Sequence, residues 1–210
     1  MIEVAIDCSN SCSMALKCPK GTFSVDAIDF GRASDRDFLP RLHSFLNERS
    51  LTIKDIEGWT IGIGPGSFAG IRFSLALVKG ICTVTHAKAR GIASSYAIVK
   101  GLDMTRTSSS VCVIQNARCG KLFASCYKVA DGRCIQAATP AMLDANEIPK
   151  SYGVYCTPDS ELQEMLKGVL PSALSIVPNP SAKHLLDAHV LDWPWQDTPD
   201  IDPIYVRPPA

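Results

Sequence analysis

The residue types best placed for chemistry lie at one strand-to-helix corner, Gly64-Pro65-Gly66-Ser67-Phe68-Ala69-Gly70-Ile71-Arg72. Glycine-rich corners of this kind attract phosphate, because free N–H groups and the helix dipole both favour an anion. The two best-defined versions do not fit. A Walker loop closes on glycine-lysine-serine/threonine, which is missing here. The dinucleotide fingerprint needs G-x-G-x-x-G and an acid roughly 20 residues on. In this chain the third glycine comes one residue late, Pro65 removes an N–H, and no Asp or Glu stands between Glu57 and Asp103. The corner then reads as a tight turn whose glycines let helix and strand approach closely.

Other candidate chemistry is sparse. The four histidines are His43, His86, His184 and His189. The closest two, His184 and His189, are five apart and do not share a helix face as an i, i+4 metal pair does. Nine cysteines, at 8, 12, 18, 82, 112, 119, 126, 134 and 156, form no C-x-x-C pair. With no export signal they read as free, mostly buried thiols in a reducing compartment. No serine or cysteine has a recognisable histidine-and-acid context for nucleophilic catalysis. Arg118 is open to two readings, a carboxylate partner across a cleft or a phosphate contact. Arg72 is open between a local ion pair and an interface contact.

The elements that must position these residues follow from the hydrophobic pattern. Ile2–Asp7, Cys12–Lys17 and Thr22–Ile28 read as three strands in an antiparallel meander, with turn chemistry at Pro19-Lys20-Gly21. A helix follows, capped by Asp37 with Pro40 in its first turn, and Phe38, Leu39, Leu42, Phe45 and Leu46 share a face. Thr52 and Asp55 form a capping pair. Trp59–Gly64 is a strand, Phe68 to about His86 a helix, and Gly91-Ile92 ends a further strand before a helix capped by Ser94 that runs towards Leu102. The polar stretch Asp103–Ser110 separates an N-terminal subdomain, 1–103, from a C-terminal one, 104–210. Past it, Val111–Gln115, Lys121–Val129 and Arg133–Ala137 read as a second trio of strands, the last two joined by a turn at Ala130-Asp131-Gly132. Val154–Cys156 and Ile204-Tyr205-Val206 read as strands, and 160–167 and 182–191 as helices. Each trio opens with an apolar run ending in a polar residue, Asp7 or Asn116, which is an internal repeat of structure and not of sequence.

The helix after the corner carries two apolar stripes. Ile71, Leu75, Val78 and Cys82 form one; Ala69, Phe73, Ala76, Gly80 and Val84 form the other. One apolar face docks a helix on its own sheet, whereas two require cover on both sides. The second cover is either the neighbouring Phe38 helix or a helix of another chain, brought close by Ala76 and Gly80. Lys and Arg balance Asp and Glu at 21 each, which argues against a chain that grips nucleic acid alone. An apolar content of 46% fits a real core. The N-terminus lacks a signal peptide pattern and no stretch approaches roughly 18 consecutive apolar residues, so a cytoplasmic, membrane-free protein is expected.

At 64–76 the run G-P-G-S-F-A-G-I-R-F-S-L-A closely resembles the hallmark of the TsaB (YeaZ) family, G-P-G-S-F-T-G-L-R. Ala5-Ile6-Asp7 resembles that family's A-I-D-T-S opening, Asn116-Ala117-Arg118 its D-A-R segment, and Pro203-Ile204-Tyr205-Val206-Arg207 its closing P-x-Y-L-R. The resemblance implies an α/β actin-like, Hsp70-like (ribonuclease H-like) fold of two βββαβα subdomains, the second shortened. It implies a non-catalytic scaffold in threonylcarbamoyl transfer to the adenosine beside the tRNA anticodon. The partners implied are a TsaD-like catalytic paralogue, a TsaE-like ATPase and a second copy, with tRNA met only through the complex. It places the partner surface at Phe38, Leu42, Phe45, Gly70, Ile71, Phe73, Ala76, Leu77 and Gly80.

The sequence also departs from the family pattern. Ala69 replaces the hallmark threonine, Ser34 a common histidine, Asn116 the aspartate and Lys121 an acid. The nucleotide loops of actin-like ATPases are therefore degenerate at Asp7, Ser9 and Asn116, since an amide is a poor substitute for a carboxylate that orients Mg²⁺ or water. No catalytic residue, metal or cofactor is expected. The alternatives are an active enzyme of the actin-like superfamily, a small-molecule kinase or metallopeptidase, or a homodimeric module outside the complex.

Overall fold

A computed structural model describes residues 1–28, 34–102, 109–118, 120–130, 133–188, 193–196 and 201–206. Strands β1 (Glu3–Asp7), β2 (Cys12–Cys18) and β3 (Gly21–Ile28) form the expected antiparallel meander. Helix α1 (Ser34–Asn47), strand β4 (Gly58–Gly62), helix α2 (Phe68–Thr85), strand β5 (Lys88–Ile92) and helix α3 (Ser94–Lys100) complete the first lobe. Both β4 and β5 run parallel to β1, giving the order β3-β2-β1-β4-β5. Every residue of β1 and β4 is buried. Central parallel strands are covered on both faces and so read as near-continuous apolar runs.

The second lobe repeats this plan. Strands β6 (Ser109–Arg118), β7 (Lys121–Ala130) and β8 (Arg133–Gln136) make a second meander, with β9 (Ala141–Leu143) pairing β7. Strands β10 (Val154–Thr157) and β11 (Leu174–Ile176) run parallel to β6, and a single-turn helix α4 (Leu162–Met165) lies between them. The order β8-β7-β6-β10-β11 matches the first sheet strand for strand. A 3₁₀ turn at Ala145–Glu147 lies where the first lobe has α1, and α4 is one turn where α2 has 18 residues, so the second lobe is the shortened copy.

Alternation along the strands sorts the core into layers. Val4 and Ile6 pack outward with α1 and α2, while Ala5 faces inward with Ile92, α3, Val111 and Val113. Cys112 and Ile114 face the outer side of the second sheet with Tyr155, Leu162 and Leu166. After β11 the chain returns to the first lobe. A 3₁₀ turn at Ala182–Asp187 buries Ala182, Leu185 and Leu186 in the inner layer, and Ile201 joins the outer core of the first sheet.

Several local expectations are corrected. Helix α1 begins at Ser34, so Asp37 is inside it and does not cap it, and Pro40 stands beyond the first turn. The fully buried Phe38 and Leu42 hold the helix against the core through the lost hydrogen bond. Leu39 leaves the shared face and is 48% exposed. The expected helices at 160–167 and 182–191 shrink to α4 and the 3₁₀ turn. The expected strand Ile204-Tyr205-Val206 is absent because β4 is already paired by β1 and β5. The segment makes one backbone bond beyond that ladder, Ile204 N–H to the Ile63 carbonyl at 2.8 Å. Cys8 and Cys12 are joined by a disulfide across the β1–β2 turn, which brings their Cα atoms to 3.9 Å, so these two are not free thiols. Most of the presumed boundary, Asp103–Ser110, and Cys119, Asp131, Gly132, His189 and Arg207 lie outside the described residues; Ser109 and Ser110 already belong to β6.

Candidate functional site

The corner at 64–70 is built by close approach. Gly64 has φ +100°, a left-handed conformation that only glycine adopts without strain. A Cβ at Gly70 would collide with the Cys8 carbonyl oxygen, so the first turn of α2 can lie directly on the β1–β2 turn only with glycine there. Ser67 caps α2, accepting the Gly70 N–H at 3.3 Å, and its own N–H donates to the Ser9 carbonyl. The helix ends at His86, a left-handed C-cap.

Asp7 is the anchor of this arrangement. One carboxylate oxygen accepts the Ser9 N–H at 2.8 Å and the Ser94 hydroxyl at 3.2 Å. The same Ser94 hydroxyl accepts the Gly64 N–H at 3.0 Å, while the Ser94 N–H donates to the Gly64 carbonyl. Ser94 therefore does not cap α3; it is the first residue of that helix and ties the corner to the first hairpin. Asp7 is 4% exposed, and burial raises its carboxyl above the usual range, against the opposing pull of the Ser9 and Ser94 bonds. Of the three degenerate loop positions, Ser9 and Asn116 line the cleft described next, and Asp7 does not.

A cleft of about 720 Å³ opens between the two lobes. Ser9 and Asn10 border it on the first-hairpin side, the α2 start at Ser67–Ala69 on another, and the end of β6 at Gln115–Arg118 with Phe123 and Asp159 on the side of the second lobe. The segment Pro203–Val206 forms its remaining wall. Asn116 N–H donates to Asp159 Oδ2 at 2.8 Å, and Arg118 N–H donates back to Asn116 Oδ1 at 2.7 Å. Arg118 is thereby held in a left-handed turn, φ +62°, at the rim. Among the described residues it takes part in no ion pair. Arg72 also makes no ion pair among them. Its Nε donates to the Tyr205 hydroxyl at 3.1 Å and its guanidinium lies 3.8 Å from the Phe68 ring centre. Gln115 and Asp159 were not singled out by the sequence; Gln115 differs from Asn116 only in being the inward residue of the same polar strand end. No three His, Cys, Asp or Glu side chains cluster as a metal set among the described residues. His184 packs against the Ala97 carbonyl at 3.2 Å, and burial lowers its pKa.

The two stripes of α2 have different fates. Ile71, Leu75, Val78 and Cys82 are buried on the first sheet. On the other flank Ala69, Ala76, Gly80 and Val84 are exposed, and Phe73 is half-buried, edge-on to Phe38 at 5.4 Å. The Phe38 helix therefore covers only the edge of the second stripe. By length and mean hydropathy α2 meets the composition of a membrane span, although Arg72 and Lys79 interrupt it and its sheet-docked flank accounts for part of its apolar content. Among the residues expected to meet a partner, Phe38, Leu42, Phe45 and Ile71 belong to the chain's own core, each at most 4% exposed. Gly70, Phe73 and Leu77 are half-buried, and Ala76 and Gly80 are exposed.

Comparison with known proteins adds a context. The family model described as TsaD, tRNA N6-adenosine threonylcarbamoyltransferase, matches residues 30–158. The tRNA threonylcarbamoyladenosine biosynthesis protein TsaB of Escherichia coli (strain K12) is 25% identical over 126 residues, 60% of this chain and 54% of that relative. The match thus spans about half the length of the curated relative. A Pseudomonas aeruginosa protein with similarity to the peptidase YeaZ superposes with TM-score 0.82 at 20% identity, over 98% of this chain and 99% of its own. YeaZ of the same organism gives TM-score 0.74 at 20% identity, over 88% of each chain. The shared fold is actin-like.

Proposed function

We propose, from the premise that this chain belongs to the tRNA N6-adenosine threonylcarbamoyltransferase family and to its TsaB/YeaZ branch, that it serves threonylcarbamoyladenosine formation on tRNA as a non-catalytic scaffold. Its partner in this reading is a TsaD-like catalytic paralogue, with a TsaE-like ATPase joining the pair and tRNA met only through the complex.

The observation that carries the reading is the outward stripe of α2. Ala76, Gly80 and Val84 present a small-residue apolar ridge, with Val84 77% exposed and nothing of the chain within 4 Å of a Cβ built at Gly80. Leu39 on α1 is likewise exposed, at 48%. Small residues on a helix let a second helix approach closely, and burying such a ridge is the natural gain from association. Two further features support a role without chemistry. Asp7, the one acid retained at a loop position, is engaged by Ser9 and Ser94 and is absent from the cleft lining. Asn116 offers an amide at the other.

Gly80→Arg is the decisive variant. The position is exposed and open, and arginine is the better helix former, so the isolated chain should unfold at the same temperature as wild type or slightly above. A charged side chain forced into a close helix contact should nevertheless abolish co-purification with the TsaD of the same organism. Wild-type chain that fails to associate with that TsaD at micromolar concentration, with or without nucleotide, would end the scaffold reading. Undiminished association of a folded Gly80→Arg protein would move the interface elsewhere.

A further inference from the structure

Among the described residues six cysteines outside the Cys8–Cys12 bond are free thiols, and two of them face each other. In the β6–β7 ladder Cys112 stands directly opposite Cys126, and both side chains join the outer core of the second sheet. Residues opposite one another on neighbouring strands have Cβ atoms roughly 5 Å apart, close to the span of a disulfide. Cys112 is fully buried, whereas Cys126 is 7% exposed and has the half-buried Tyr152 beside it. The side chains of Cys112 and Tyr152 both hydrogen-bond to the Cys126 sulfur. These bonds hold the Cys126 thiol below its usual range, although burial works against them. Its neighbour moves the other way, the Cys112 thiol being pushed up by the same bond and by burial.

Three other buried thiols lack such help. Burial pushes Cys82 up to about 11 and Cys134 and Cys156 up to about 12, so all three stay protonated near neutrality. Thiolate is the reactive form, and a sensor cysteine works beside a second thiol that resolves it. We propose that Cys112 and Cys126 form a reversible oxidation site in the second lobe, which takes a hydroperoxide as oxidant and closes a cross-strand disulfide. The small exposure of Cys126 favours a hydroperoxide over a bulky oxidant such as glutathione disulfide. The Cys126 thiolate attacks one peroxide oxygen; an S–O bond forms, the O–O bond breaks, and the departing hydroxide takes up the proton that Cys126 gave away. The Cys112 sulfur then attacks the sulfenic sulfur. The S–S bond forms, the S–O bond breaks, and hydroxide leaves with the Cys112 proton as water. Two thiols and one hydrogen peroxide thus give one disulfide and two waters, two electrons passing from sulfur to oxygen. A small dithiol reverses the change and is itself oxidised to a cyclic disulfide. The site is independent of the partner reading, which concerns the outward stripe of α2.

Disulfide mapping by peptide mass spectrometry tests it. The whole chain is reduced with dithiothreitol, freed of it, and treated with excess hydrogen peroxide. A bond between Cys112 and Cys126 is expected, lost again when dithiothreitol is returned, and mapping keeps it apart from the Cys8–Cys12 bond. Cys126 should react about tenfold faster than Cys134 or Cys156. Cys112→Ala should halt at the sulfenic acid, which dimedone traps on Cys126. Tyr152→Phe keeps the ring but removes a donor, so the pH profile of the peroxide reaction should move to higher pH. If Cys112→Ala does not fold, the map of the wild-type chain still decides. Absence of the Cys112–Cys126 bond would overturn the proposal, as would a bond from Cys126 to Cys119 in its place or dimedone labelling confined to other cysteines. Failed TsaD association leaves this inference standing, and failed oxidation leaves the scaffold standing.

Discussion

Asp7 keeps a carboxylate at the end of β1, but its surroundings give it a structural task. It gathers the Ser9 N–H and the Ser94 hydroxyl, and through Ser94 it steadies Gly64. Burial raises its folded pKa above the unfolded value. The native state therefore holds the proton over the interval between the two, and stability falls as pH rises through it. Asp7→Asn removes that titration. The difference in urea midpoint between Asp7→Asn and wild type should grow in the variant's favour from the ordinary carboxylate range upward, then level off. Parallel curves would show that Asp7 titrates alike in folded and unfolded chains. Arg118 contrasts with it: its N–H is held by Asn116 Oδ1 while its guanidinium takes part in no ion pair among the described residues.

Among the elements, β1, β4 and β5 are cross-tied by a buried polar network on their inner face. Arg90 pairs with Glu3 at 2.8 Å, donates to the Thr60 hydroxyl at 2.9 Å and to the Ala188 carbonyl at 3.1 Å, and lies 4.5 Å from the Trp195 ring. Both ionic side chains are almost fully buried. Removing one partner leaves an uncompensated charge, so Glu3→Ala should cost about 3–5 kcal/mol of stability. The double variant Glu3→Met with Arg90→Met should lose less than the sum of its single substitutions. Additive losses in a denaturant titration would show that the pair is not coupled. The same network binds the tail's return to the first sheet, because the Ala188 carbonyl is one of its acceptors. Helix α2 shows the complementary design: one edge docks on the first sheet, and the other leaves Ala76, Gly80 and Val84 exposed.

For the whole molecule, the returning tail makes the two lobes interdependent. Ala182 and Leu185 are fully buried between them, and Ile201 completes the outer core of the first sheet. A chain ending at Ile176 should therefore lack a cooperative thermal transition and expose apolar surface to dye; a sharp wild-type transition would contradict this. Much of the plan was legible beforehand. The strand trios at 3–28 and 109–136 follow from apolar runs broken by turn residues, and the 64–72 corner and the two stripes of α2 follow from residue type and spacing alone, which are local properties of the chain. Which stripe meets the sheet is not local. Nor are the start of α1 before Pro40, the tail that runs as a wall of the cleft instead of a strand, or the withdrawal of Asp7 from that cleft. Each depends on which hydrogen-bonding edges and apolar faces other segments have already occupied, and that is set only when residues far apart in the chain are packed together.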